Sequence, residues 1–409
     1  MNISLFTLTS PIHDKEKLDR ESQSFLDEIA QASGCTFDIC GENFDLYANA
    51  QMPVIYVRTG GTEGIFKKNF DKINGTIRLL TSGKSNSLAA SMEILSYLRQ
   101  HGRKGEILHG GSAYIAQRLK IAHIVDSAQH KLNGITLGVI GEPSDWLISS
   151  DANREALLNK LGIKLVDVTI DELVKEYNSI DTASEEWKNL MAGEVVADFD
   201  SQAPSKLVQY REGAFKIYLA LEHIVDRYSL QGFTLRCFDL LSAVGNTGCM
   251  ALAMFNSRGI PACCEGDVPA LLTMTVGNAL CGQAGFQANP SRIDVEKGEM
   301  TFAHCTVPFN MIGRHCFDTH FESGIGIAIR GELPLGPVTI AKLSGDLSRW
   351  YVNEATVVRN LAENDLCRTQ IVLEGQGFAE YFFNDPIGNH HVIFTGQQAA
   401  LFNAFMQEI

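Results

Sequence analysis

Residues 260–274, Ile-Pro-Ala-Cys-Cys-Glu-Gly-Asp-Val-Pro-Ala-Leu-Leu-Thr-Met, pass from an apolar run to an apolar helix through two carboxylates separated by one glycine. A buried strand feeding directly into a helix is the repeating unit of an open α/β sheet. Ligands of such sheets collect where strands end and helices begin. Carboxylates at that edge cost free energy unless a metal, a proton or a substrate compensates them. Glu265 and Asp267 are therefore candidate catalytic residues, Glu265 also a candidate metal ligand. A lone acidic residue there has a simpler explanation, stabilisation by the dipole and free amides of a helix N-terminus. Downstream, His304 and the pair His390-His391 complete an oxygen/nitrogen donor set, which favours a site.

The rest of the chain fits the same architecture. Over the first 130 or so residues, apolar runs (Ile3–Leu8, Pro53–Val57, Ile77–Leu80, Ile107–His109) alternate with helical periodicity (Lys15–Ala32, Asn86–His101, Ser112–Ser127). That alternation predicts a doubly wound parallel sheet. A second α/β domain is expected over 131–295, with strands at Gly134–Ile140, Lys164–Val168 and Phe233–Phe238 and helices at Ala152–Leu161, Glu212–Tyr228 and Thr247–Ser257. From 296 to 409 short β-branched runs replace helices: Met300–Val307, Gly324–Arg330, Pro337–Leu343, Trp350–Arg359, Cys367–Leu373 and His391–Thr395. These predict an antiparallel, barrel-like β domain closed by a terminal helix at Gln397–Gln407.

Several function classes are excluded early. A formal net charge of −14 argues against a nucleic-acid partner, which would need a basic face. No window approaches the ~20 apolar residues of a membrane span. The N-terminal Met-Asn-Ile-Ser-Leu-Phe-Thr reads as a first strand rather than a signal peptide. The 10 cysteines show no CxxC spacing, and Cys263-Cys264 lie inside an apolar strand, so a reducing cytoplasm is expected. Gly83-Lys84-Ser85 lacks the leading glycine of a phosphate loop, since Arg78 stands there. No Gly-x-Ser-x-Gly elbow and no zinc-ribbon cysteine pattern occurs.

Secondary candidates sit on other loops. Gly141-Glu-Pro-Ser144-Asp145-Trp146 follows a strong strand, so Ser144, Asp145 and Trp146 can hydrogen-bond or stack on a substrate. An ordinary strand-to-helix turn with a packing tryptophan explains them equally well. Arg58, Lys84 and Arg292 are candidates for an anionic substituent or simple surface charges, and His315 and His320 read as ordinary residues.

Taken in order, Arg236-Cys-Phe-Asp239, Asn246-Thr-Gly-Cys249, Gly259 to Asp267, Leu271-Leu-Thr-Met274, Ala303-His304-Cys-Thr-Val-Pro308 and Gly388-Asn-His390-His391-Val-Ile-Phe-Thr-Gly396 resemble the L-fucose/L-arabinose isomerase family. The resemblance covers roughly 230–409, and the N-terminal third matches in architecture alone. It implies a cytoplasmic aldose–ketose isomerase with two α/β domains and a β-barrel-like domain, using a divalent ion, usually Mn²⁺, and assembling as a homo-hexamer around a sugar substrate. It assigns metal binding and proton transfer to Glu265 and metal ligation to His391 and His304; His390, first of the pair, is a candidate substrate contact.

One position departs from that pattern. Where the fucose branch has its second carboxylate, this chain has Asn289, and the arabinose-type position is Arg292. An amide oxygen can ligate a hard cation, but an amide exchanges no proton near neutral pH. Asp267 or Asp294 is then left as the partner base. Arg292 beside the altered position points to a modified or uncommon sugar, such as one bearing a sulfonate. Two rival readings stay open: a sugar-binding relative without catalysis, and a metal-independent isomerase relying on Glu265.

Overall fold

A computed structural model describes residues 1–409, Lys15 by its backbone alone. The chain divides into two compact units at Ser127/Ala128.

In the first unit, strands β1 (Asn2–Leu8), β2 (Thr36–Gly41), β3 (Val54–Val57), β4 (Ile77–Leu80) and β5 (Gly105–Leu108) form a parallel sheet in the order β2-β1-β3-β4-β5. β1, β3 and β4 are almost wholly buried because helices cover both faces of the sheet, with separate apolar cores on each side. Asp14 caps the 15–33 helix by accepting from the Lys17 amide, and Gly34 ends it in the left-handed conformation. β2 was not foreseen from the sequence: Thr-Phe-Asp-Ile-Cys-Gly is an edge strand with no buried residue, so it carries no apolar run.

The second unit opens with another parallel sheet, β6 (Thr136–Ile140), β7 (Lys164–Val168), β8 (Gly232–Leu235) and β9 (Ala262–Cys264), in the order β7-β6-β8-β9. Helices at Ile170–Ser179, Glu185–Met191 and Glu194–Gln202 fill a stretch with no long periodic signal. The starts of the first two were nevertheless written in the sequence, because Thr169 and Ser184 each accept a hydrogen bond from the amide three residues on.

Six antiparallel strands then close a barrel: β10 (Phe286–Asp294), β11 (Glu299–His304), β14 (Gly336–Leu343), β15 (Trp350–Leu361), β16 (Thr369–Gly375) and β17 (His391–Thr395). Around the barrel the order is β10-β11-β16-β15-β14-β17. β12 (Arg314–Asp318) and β13 (Ala328–Glu332) form a separate two-stranded sheet, so the strand expected at Gly324–Arg330 lies further on and outside the barrel. β10 reads Phe-Gln-Ala-Asn-Pro-Ser-Arg-Ile-Asp, too polar for a strand signal, and it pairs with β11 and β17. β10 is thus a strand of the barrel. The expected α/β architecture with a C-terminal antiparallel barrel is the observed one.

Candidate active site

β9 ends at Cys264, and the next two residues turn through the left-handed region, Glu265 at φ 64° and Gly266 at φ 73°. A non-glycine residue there is strained, and such strain persists where surrounding structure overrides it. Gly266 is required by contact as well as by φ, because a Cβ would meet the Glu142 carbonyl oxygen at 2.5 Å. The Gly266 amide donates to Leu235 O at 3.1 Å and the Ser144 amide donates to Glu265 O at 3.0 Å. β9 is an edge strand, and Gln287 of β10 stands in for its missing neighbour. The Gln287 Oε1 accepts from Cys264 N at 2.7 Å while its Nε2 donates to Cys264 O at 3.4 Å.

The Glu265 carboxylate is nearly buried, and its two oxygens face different partners. Oε2 accepts from the indole N–H of Trp146 at 2.7 Å. Oε1 lies 3.4 Å from His390 Nε2 and 3.8 Å from His304 Nε2. These two separations are long for hydrogen bonds. Glu265, His304 and His390 each offer one donor atom, all within 4.8 Å of one another, the arrangement of a candidate metal site. Burial pushes the Glu265 carboxyl up, but His304 and His390 outweigh it and hold the group well below the usual carboxylate range.

Behind the two imidazoles lies a second layer of partners. His390 Nδ1 is 3.0 Å from Asp267 Oδ2, and His304 Nδ1 is 3.0 Å from Thr306 Oγ1. Asp267 is fully buried. Its Oδ1 accepts from the Ala270 amide at 2.8 Å and so caps the 268–281 helix, and both carboxylate oxygens face the buried Lys342 ammonium. Burial alone pushes the Asp267 carboxyl up; Lys342 and His390 bring it down to about 2. For His390, burial disfavours the cation, yet Asp267 and Glu265 raise it to about 9.

His391 stands outside this group. Adjacent residues of an extended segment face opposite sides, and the pair divides accordingly. His391 Nε2 meets the Tyr381 hydroxyl at 2.9 Å and its Nδ1 meets Asn389 O at 2.9 Å, so both ring nitrogens are engaged away from Glu265. Burial, with the nearby Lys342 charge, pushes His391 down to about 3 and keeps it neutral. The residue that faces Glu265 is His390, which the sequence had assigned to substrate.

Other sequence candidates lie elsewhere. Asn289 Oδ1 accepts from Asn389 Nδ2 at 3.0 Å. Arg292 is exposed and paired with Glu363 and Asp365. Asp294 is half-buried and paired with Lys297. Asp145 is exposed and accepts from Arg236, while Ser144 is buried with its hydroxyl unpartnered. Trp146 reaches the site, packing edge-on against Phe238, which in turn meets His320. His315 bonds Asp198 and His320 bonds Ser323. In the first unit, Arg58 is paired with Asp19, and Lys84 lies near Glu21. Lys342 escaped the sequence reading, and its one signal was a lone lysine inside the apolar run Val338–Leu343.

Among the described residues no helix is long and apolar enough to cross a membrane. No family model matches the chain. It is similar to the sulfoquinovose isomerase of Clostridium sp. (strain MSTE9), 24% identical over 210 residues, which are 51% of this chain and 44% of that protein. It is also similar to the sulfoquinovose isomerases of Priestia aryabhattai and Priestia megaterium (strain ATCC 12872 / QMB1551), each 26% identical over 288 residues, 66% of this chain and 60% of theirs. The chain therefore aligns with less than two thirds of the length of each of these sugar isomerases.

Proposed function

We propose that the protein is an aldose–ketose isomerase acting on a modified sugar, with a sulfonated hexose as its substrate class. The observation that carries this reading is the convergence of the Glu265 carboxylate with His304 Nε2 and His390 Nε2 at the carboxyl edge of β9. The relatives named for sulfoquinovose isomerisation support the reaction and the sugar class.

The donor set fits a divalent cation. His390 Nε2 is a buried ring nitrogen with no hydrogen-bond partner, directed at a carboxylate oxygen. Each imidazole is also braced through its other nitrogen, as ligating histidines are. Glu265, His304 and His390 would hold the ion, Mn²⁺ by the family resemblance, and it would polarise the sugar carbonyl as a Lewis acid.

The chain's own groups account for the proton movement. Moving a carbonyl between adjacent carbons requires taking a proton from one and returning it to the other. Glu265 presents the carboxylate at the point of convergence and is the group that would accept that proton, and the Trp146 N–H donates to its other oxygen. Such general-base action contributes on the order of 10²–10⁴-fold. Asp267 has both oxygens committed to Ala270, His390 and Lys342, which suits bracing better than proton transfer. Asn289 at the family's second carboxylate position then leaves Glu265 as the one base for both carbons.

The test is interconversion of sulfoquinovose and its ketose by the purified full chain, beside unsulfonated glucose and L-fucose, with and without EDTA. Turnover restricted to the sulfonated sugar and abolished in Glu265→Gln is expected. Equal turnover of neutral sugars would refute the substrate class, and turnover surviving in Glu265→Gln would refute the base.

A further inference from the structure

Lys342 is 1% exposed, on β14, with its ammonium 3.3 and 3.4 Å from the two oxygens of an Asp267 that is itself fully buried. A buried ion pair is a poor device for stability alone, since well-packed apolar residues of similar volume commonly replace it without loss. Its place in the network gives it another use. Asp267 Oδ1 is anchored to the 268–281 helix through the Ala270 amide, and Oδ2 meets His390 Nδ1 at 3.0 Å. Spanning both oxygens, the ammonium fixes the remaining freedom of that carboxylate, and the carboxylate fixes the ring. The outer nitrogen, His390 Nε2, is thereby aimed at Glu265 Oε1.

We infer that Lys342 is a positioning residue for His390, acting through Asp267 to present Nε2 to the site. The inference rests on the proposed metal site, and its test is separable from that reading because it needs no turnover. Outer-layer partners of ligating histidines change metal affinity by about 10–100-fold when removed.

The experiment titrates Mn²⁺ into the full chain by calorimetry for wild type, Lys342→Arg and Lys342→Met, with thermal melts alongside. Lys342→Met is expected to bind Mn²⁺ about 10–100-fold more weakly, with Lys342→Arg close to wild type. A folded Lys342→Met with wild-type affinity would overturn the inference. Should Lys342→Met not fold, the double variant Lys342→Met/Asp267→Asn removes both charges together. It is expected to fold and still bind weakly, and wild-type affinity there would overturn the inference too. If wild type binds no Mn²⁺, the metal reading fails, and a crystal structure of metal-free Lys342→Met, or of the double variant should the single one not fold, still decides the positioning role. A displaced His390 ring supports it, and an unmoved ring refutes it.

Discussion

The indole N–H of Trp146 donates to Oε2 of Glu265 at 2.7 Å, joining the loop after β6 to the turn after β9 across 119 positions of sequence. The indole is half-exposed, so little core packing depends on it. A hydrogen bond to a charged group is worth about 1.5–3 kcal/mol. Trp146→Phe should lower kcat/KM by roughly 10–150-fold with the melting temperature nearly unchanged. Unaltered kcat/KM in this variant would remove Trp146 from the site.

The two adjacent histidines should separate cleanly in a paired experiment. His390→Gln is expected to lose Mn²⁺ binding. His391→Leu is expected to retain it while losing about 1–3 kcal/mol of stability, because the Tyr381 hydroxyl is left without its ring partner. Calorimetry and denaturant melts on both variants check this, and the opposite assignment of the two losses would reverse the roles given to the pair.

Gly266→Ala tests the turn that presents Glu265. Left-handed backbone costs a side-chain-bearing residue about 1–2 kcal/mol, and the added methyl would also meet Glu142 O and Pro143 Cα. A destabilisation above that conformational cost is expected in urea melts. Wild-type stability would mean that the 141–146 loop is not held against the turn.

A pH dependence follows from His223, whose ring nitrogens meet Glu176 at 2.7 Å and Glu186 at 2.9 Å. Partial burial lowers its pKa, but the two carboxylates outweigh burial and raise it above the ordinary value. The stabilisation is therefore fully present below about pH 6.5 and is lost as pH rises through the raised folded value. The melting-temperature gap between wild type and His223→Gln should shrink as pH climbs from about 6 to about 9. A gap that widens with pH would contradict the assignment.

Much of this was legible in the chain because it rests on local pattern. The turn from Cys264 through Glu265 and Asp267 announced itself by placing carboxylates between an apolar strand and an apolar helix, and the run of short strands after β10 announced the barrel. What failed to show depends on tertiary register. Which of His390 and His391 faces Glu265 is decided by a one-residue choice of face, to which a tandem pair is blind. Lys342 carries no local signal of its partner because Asp267 lies 75 positions away. β2 and β10 hid for a related reason: an edge strand and a polar barrel strand need no apolar run. The pairing of Arg292 with Glu363 and Asp365, distant in sequence, was out of view for the same reason.

The most direct measurement is metal content and turnover of the purified full chain together: Mn²⁺ stoichiometry by mass spectrometry, and sulfoquinovose isomerisation before and after EDTA. One ion per chain, turnover lost with EDTA and restored by Mn²⁺, and both ion and turnover absent in His390→Gln are expected. Sulfoquinovose turnover that persists in metal-free protein would contradict the central claim that Glu265, His304 and His390 act together around a cation.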